Sequence, residues 1–221
     1  MSFAYEQIGL RIAGLVCRRL ELKIEGAKNI PVSGPLLLIG KHQREADGPW
    51  VLGSVPRPVW TIIKDDVNWP TKAILGLLGN MYPMKRNAMD PSAYRTTIAH
   101  LRKGEAVVMF PEAHRVRELI GFHPGVAGIA RRVEKTPIVP FVVLNSENLG
   151  VLRIVHHLFL GAPTEQPIIR FGLPFVLPPA TEKRRSDQYQ KDIKFIRDKV
   201  AALMPPDLIG GNELHVISKE K

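Results

Sequence analysis

The stretch Pro35-Leu36-Leu37-Leu38-Ile39-Gly40-Lys41-His42-Gln43-Arg44-Glu45-Ala46-Asp47-Gly48-Pro49 decides how the chain is read. It opens on an unbroken apolar run, which predicts a strand buried on both faces. The polar residues that follow then stand at that strand's C-terminal end. In open α/β sheets, active sites collect there. Asp47, Gly48 and Pro49 predict a helix start, because proline suits the first turn, where its missing N–H costs nothing.

Outward from this stretch, strands and helices alternate. Leu20 to Glu25 alternates apolar and charged residues and predicts a half-buried strand. Val59 to Ile63, Met81 to Met84, Ala106 to Phe110, Pro137 to Leu144 and Pro167 to Phe171 predict further strands. Thr71 to Leu78, Pro91 to Lys103, Gly125 to Arg132 and Gln188 to Leu203 predict helices, with Gly104 closing the second. The alternation predicts a single α/β domain over residues 21–204, with a mixed, largely parallel central sheet flanked by helices. Residues 205–221 are expected to form a loosely held tail.

The 221 residues suffice for one domain with a proper core, and 45% of them are hydrophobic, as in a globular chain. The formal net charge is +10, which attracts polyanions without choosing among them. The single cysteine, Cys17, allows no intrachain disulfide and no cysteine-based metal site. The apolar N-terminal stretch is broken by Arg11 and stopped by Arg18 and Arg19, short of the ~20 residues a membrane span needs. Phe3, Ile8, Ile12, Leu15 and Val16 share a helical face. Residues 1–20 therefore read equally well as an interfacial helix lying on a membrane or as an amphipathic helix packed on the domain. The interfacial reading predicts an anionic membrane surface as partner and a peripheral or monotopic place at its cytoplasmic side.

His42 and Asp47 are the first chemical candidates. A histidine near neutral pKa can take a proton from a hydroxyl, and a carboxylate on its other nitrogen fixes the tautomer and steadies the imidazolium. The spacing alone says little. Seven histidines and eight aspartates in this chain would produce it by chance roughly once in four such sequences. Three further segments follow in order at predicted strand ends. Tyr82-Pro83-Met84-Lys85-Arg86 sets two cations after a short strand. Phe110-Pro111-Glu112-Ala113-His114-Arg115 sets a carboxylate, an imidazole and a guanidinium after a buried one. Val139-Pro140-Phe141-Val142 is an apolar strand whose prolines limit its pairing.

This order and these residue types resemble the four motifs of the glycerophospholipid acyltransferase superfamily, typified by PlsC-type 1-acylglycerol-3-phosphate acyltransferases. The resemblance covers roughly residues 35–175. Phe122-His123-Pro124-Gly125 is similar to the family's Phe-Lys-Pro-Gly, and Ile169-Arg170-Phe171-Gly172-Leu173-Pro174 to its later strand and Gly-x-Pro element. The resemblance implies an acyltransferase-like fold and direct attack of a lysophospholipid hydroxyl on the thioester of acyl-CoA or acyl-carrier protein. It implies no metal and no organic cofactor. It implies His42 as general base and Asp47 as its orienter, with Arg86 on the acceptor phosphate beside Lys85. Glu112, His114 and Arg115 would shape the acceptor site, and Pro140 would line the acyl-donor side.

This chain departs from the family pattern at four places. Lys41 stands where Asn or Ser is usual, and Lys85 where Asp is common. Ala113 and His114 stand for Gly and Thr. These changes bear on the acceptor more than on acyl transfer. A lipid-binding relative without catalysis is the alternative reading. A nucleic-acid-binding protein is disfavoured, since the basic residues are dispersed and no recognised motif occurs. Gly-x-Ser-x-Gly and phosphate-loop signatures are absent. His156 and His157 lack a third ligand at a recognised spacing. His100 is expected on a helix, facing solvent or packing against it.

Overall fold

The computed structural model describes residues 11, 14–44, 47–65, 67, 69, 72, 73, 76, 80–85, 90–112, 118–145 and 165–210. Its strands are β1 (Lys23–Glu25), β2 (Leu36–Gly40), β3 (Val59–Lys64), β4 (Asn80–Met84), β5 (Ala106–Met109), β6 (Ile138–Leu144) and β7 (Ile168–Phe171). Its helices of known bounds are α1 (Asp47–Ser54), α2 (Pro91–Arg102), α3 (Gly125–Arg132) and α4 (Arg185–Ala201). Residues 14–19 are also helical.

The described strands form one seven-stranded sheet in the order β1-β7-β6-β2-β5-β3-β4. All pairings are parallel except β6 with β7. The sheet is thus mixed and largely parallel, as the alternation predicts. β2 lies near its middle, with every residue buried. Leu36 and Leu38 point into one core with Trp50 and Leu52 of α1, and Leu37 and Ile39 into a second core under α2, α3 and α4. A strand covered on both faces has no polar side, which is why β2 reads as a continuous apolar run.

Several boundaries differ from the sequence reading. The first strand begins at Lys23 rather than Leu20. Leu20 is fully buried at the end of the N-terminal helix, and Glu21 takes a left-handed φ of 55° that ends it. The last helix starts at Arg185, earlier than expected. The start of the expected tail is tied down: Leu208 carbonyl accepts from the Leu119 N–H, and Gly210 carbonyl from Arg197.

Pro140 does not keep β6 from pairing on both sides, with β2 and with β7. Its carbonyl accepts from the Gly172 N–H, so its missing donor also faces the β7 side, where the ladder stops at Phe171. The proline therefore costs the sheet little. Pro83 lies on edge strand β4. His100 packs: its ring stacks on Trp60 at 3.9 Å, and its Nδ1 meets Glu105 Oε2 at 2.5 Å. Residues 71–78 lie mostly outside the described set; those described, 72, 73 and 76, are helical. His156, His157, Phe3, Ile8 and Ile12 lie outside it entirely.

Candidate active site

The loop that leaves β2 is held by two buried carboxylates. Asp47, the first residue of α1, is fully buried, and its Oδ2 accepts the Gln43 N–H at 2.6 Å and the Arg44 N–H at 2.8 Å. The same oxygen meets His42 Nδ1 at 3.0 Å. A carboxylate in this role offers only acceptor capacity, so the network assigns the ring proton to Nδ1. Nε2 then carries the lone pair, and the His42 side chain stays 24% exposed. Its ring stacks on Phe110 with centroids 4.4 Å apart. Phe110 meets Phe141 edge-on at 5.6 Å, and Phe141 meets Phe171 at 6.1 Å. An aromatic row thus runs from the sheet to the imidazole.

Glu112 is the second carboxylate. It follows β5, whose Met109 pairs with Ile39 of β2, so register sets the two strand ends side by side. Its Oε2 accepts from Lys41 Nζ at 2.8 Å and from the His42 N–H at 3.2 Å, and its Oε1 from the Ile120 N–H at 3.0 Å. Both side chains of the Lys41–Glu112 pair are fully buried. Burial drives the Glu112 carboxyl up and the Lys41 amine down, and each opposes the other's shift. Ion pairing with three donors on one carboxylate is what lets two charges stay inside.

The structure therefore brings His42, Asp47 and Glu112 together at adjoining strand ends. Glu112 points inward, toward Lys41 and backbone, rather than to solvent. Pro140 is buried in β6 opposite Ile39, with Gly172 packed against it. Lys85 is exposed beyond β4. It lies three strands from β2 in the sheet order, which is roughly 14 Å at the usual strand spacing. Its N–H donates to Asp90, the N-cap of α2. Arg86, Ala113, His114 and Arg115 lie outside the described residues.

Sequence reasoning assigned no role to Phe110, and none to Lys41 beyond its departure from pattern. A charged residue beside a candidate base was the available signal for Lys41. Arg197 carried none: it sits in a charged helix, yet it is buried and donates to the carbonyls of Leu119, Ile120 and Gly210. Among the described residues no three His, Cys, Asp or Glu side chains are grouped to hold a metal ion. Chemically, the arrangement offers an oriented, partly exposed imidazole with one basic nitrogen.

Comparison with known proteins adds two findings. The family model described as "Acyltransferase" matches residues 21–144. The crystal structure of the 1-acyl-sn-glycerophosphate acyltransferase PlsC from Thermotoga maritima superposes with a TM-score of 0.59 at 18% identity, covering 90% of this chain and 78% of that one. That likeness establishes the shared fold. No curated protein matches by sequence.

Proposed function

The chain belongs to the acyltransferase family; from that premise we propose that it moves a fatty acyl group from a thioester donor, acyl-CoA or acyl-carrier protein, to the hydroxyl of a lysophospholipid such as 1-acylglycerol-3-phosphate. The observation that carries this reading is His42, with Nδ1 on buried Asp47 and its ring partly exposed at the end of β2. In this mechanism Nε2 takes the acceptor's hydroxyl proton as the oxygen attacks the thioester carbon. The C–O bond forms, the C–S bond breaks, and the imidazolium returns its proton to the departing thiolate. Asp47 holds the tautomer and balances the imidazolium.

The acceptor's phosphate is assigned to Arg86, whose guanidinium fork matches phosphate oxygens, with Lys85, His114 and Arg115 as further cations and Pro140 toward the donor. The site works at the cytoplasmic surface of a membrane, where such an acceptor resides. Three features support that placement. β1 runs opposite to β2, so its start at Lys23, directly after the N-terminal helix, faces the same end of the sheet as His42. Leu15 of that helix is 61% exposed, while Cys17 and Leu20 anchor it in the core. Trp69, beyond the C-terminal end of β3, is 78% exposed, as an interfacial tryptophan would be. No described helix is long and apolar enough to cross a membrane.

The test is thiol release from acyl-CoA and from acyl-carrier protein against a panel of lysophospholipids. Turnover with one acceptor is expected, and His42→Ala should lower it by about 10²–10⁴-fold. Absence of turnover with every acceptor, or full turnover in His42→Ala, would reject the reading in favour of a lipid-binding protein.

A further inference from the structure

We propose that Arg197 is a positioning residue for His42, acting from the far end of the chain through backbone and Glu112. The inference rests on the acyl-transfer reading for its meaning but not for its geometry. The chain of contacts is continuous. Arg197, on α4, donates Nε–H to the Ile120 carbonyl at 3.2 Å and, from its terminal nitrogen, to the Leu119 carbonyl at 3.0 Å. The Ile120 N–H donates to Glu112 Oε1 at 3.0 Å. Glu112 Oε2 then accepts the His42 N–H at 3.2 Å. The first residues after β2 therefore reach α4 through three consecutive hydrogen bonds, with the Leu119 bond running beside the first.

Each link has a reason to be rigid. Arg197 is 6% exposed and Glu112 5% exposed, so breaking either set of bonds strands a buried polar group. The guanidinium is planar and presents its donors in a fixed fork, which suits the two successive carbonyls of Leu119 and Ile120. A third bond, to the Gly210 carbonyl at 2.6 Å, binds the segment after α4 to the same side chain. The Leu119 N–H donates to the Leu208 carbonyl at 2.9 Å, closing that stitch from the other side. Residues 119–120 are thus clamped between α4 and the chain beyond it, and they present Ile120 N–H to Glu112.

On the opposite side of His42, Asp47 fixes Nδ1 and the next two N–H groups. The imidazole is thus aimed by a carboxylate at each end of its loop. Asp47 acts from the first turn of α1. Glu112 needs Lys41, and it needs Ile120 held where Arg197 holds it. A loop that drifts on the Glu112 side turns the imidazole without altering the acceptor's contacts, so the loss belongs in kcat rather than KM.

The experiment compares wild type, Arg197→Ala and Arg197→Lys in the full chain. Backbone amide exchange is read by NMR or mass spectrometry at His42 and Ile120, with Ile62 in β3 as control. Thiol release gives kcat and KM. The expected result is faster exchange at Ile120 and His42 with Ile62 unchanged, kcat lowered about tenfold or more, and KM within about twofold. Added guanidinium ion should restore both His42 protection and kcat in Arg197→Ala. Should Arg197→Ala not fold, Arg197→Lys carries the comparison, since it keeps the charge and loses the fork. The proposal is overturned if His42 exchange stays at the wild-type rate, if it rises only together with Ile62, or if kcat holds while His42 loosens. Absence of turnover in wild type would reject the acyl-transfer reading alone; exchange at His42 would still decide the link to Arg197.

Discussion

Asp47 shows how much one side chain can organise. A single oxygen fixes the imidazole and two backbone N–H groups, so its charge sets both tautomer and loop shape. Asp47→Asn is expected to fold and to lose about 10²–10⁴-fold in kcat, read by thiol release, because an amide no longer enforces the tautomer or steadies the imidazolium. Lys41 has the opposite character: it stabilises a partner rather than the reaction. Lys41→Met leaves Glu112 buried without its cation and should cost about 3–5 kcal/mol in urea unfolding. The pH dependence follows from Glu112. Burial already raises its folded pKa, and Lys41 restrains that rise. Without Lys41 the folded value climbs further above the unfolded one of about 4.3. A group with a raised folded pKa supports the fold below its unfolded pKa, and that support is lost as pH rises through the folded value. The stability gap between Lys41→Met and wild type should therefore widen from about pH 4 toward pH 8. The double variant Lys41→Met/Glu112→Gln should close much of that gap at neutral pH.

Among the elements, the ends of β2, β5 and β6 matter most. The last residue of β2 is Gly40, and a Cβ there would come within 2.4 Å of the Phe141 ring. That ring touches Phe110, which stacks on His42. Gly40→Ala should thus do two things at once. Overpacking should cost about 1–3 kcal/mol in thermal or urea unfolding. The displaced aromatic row should lower kcat more than an equally destabilising change far from it, such as Ile98→Val on α2. Equal activities in the two variants would disprove the mechanical link. The apolar run before Gly40 was legible as a strand, because burial on both faces leaves its mark on every residue. The glycine's role was not, because Phe141 reaches it from a strand distant in sequence.

At the scale of the whole molecule, the +10 charge and the shared orientation of the N-terminal helix, Trp69 and His42 combine into one expectation. Flotation with anionic vesicles should show binding that weakens as salt rises. Trp69→Ala should reduce it severalfold, and deletion of residues 1–20 should reduce it further. Salt-independent binding, or no effect of either change, would remove the membrane placement and leave the acyl-transfer site untouched.

What the sequence determined by itself were features written in local order. Alternating strands and helices and a doubly buried β2 are short-range patterns, so periodicity reveals them, whereas His42 and Asp47 stood out only with the later segments that carry the family resemblance. The resemblance carried by Phe110, Pro111 and Glu112 was legible for the same reason. Only the tertiary structure decided what Glu112 does, because its direction depends on Lys41, His42 and Ile120 meeting it at parallel strand ends. Only it raised Arg197 from one cation among many to the clamp on residues 119–120. Side chains identical in composition differ here by burial and partner. Burial and partner are set by register and topology, which no stretch of sequence contains.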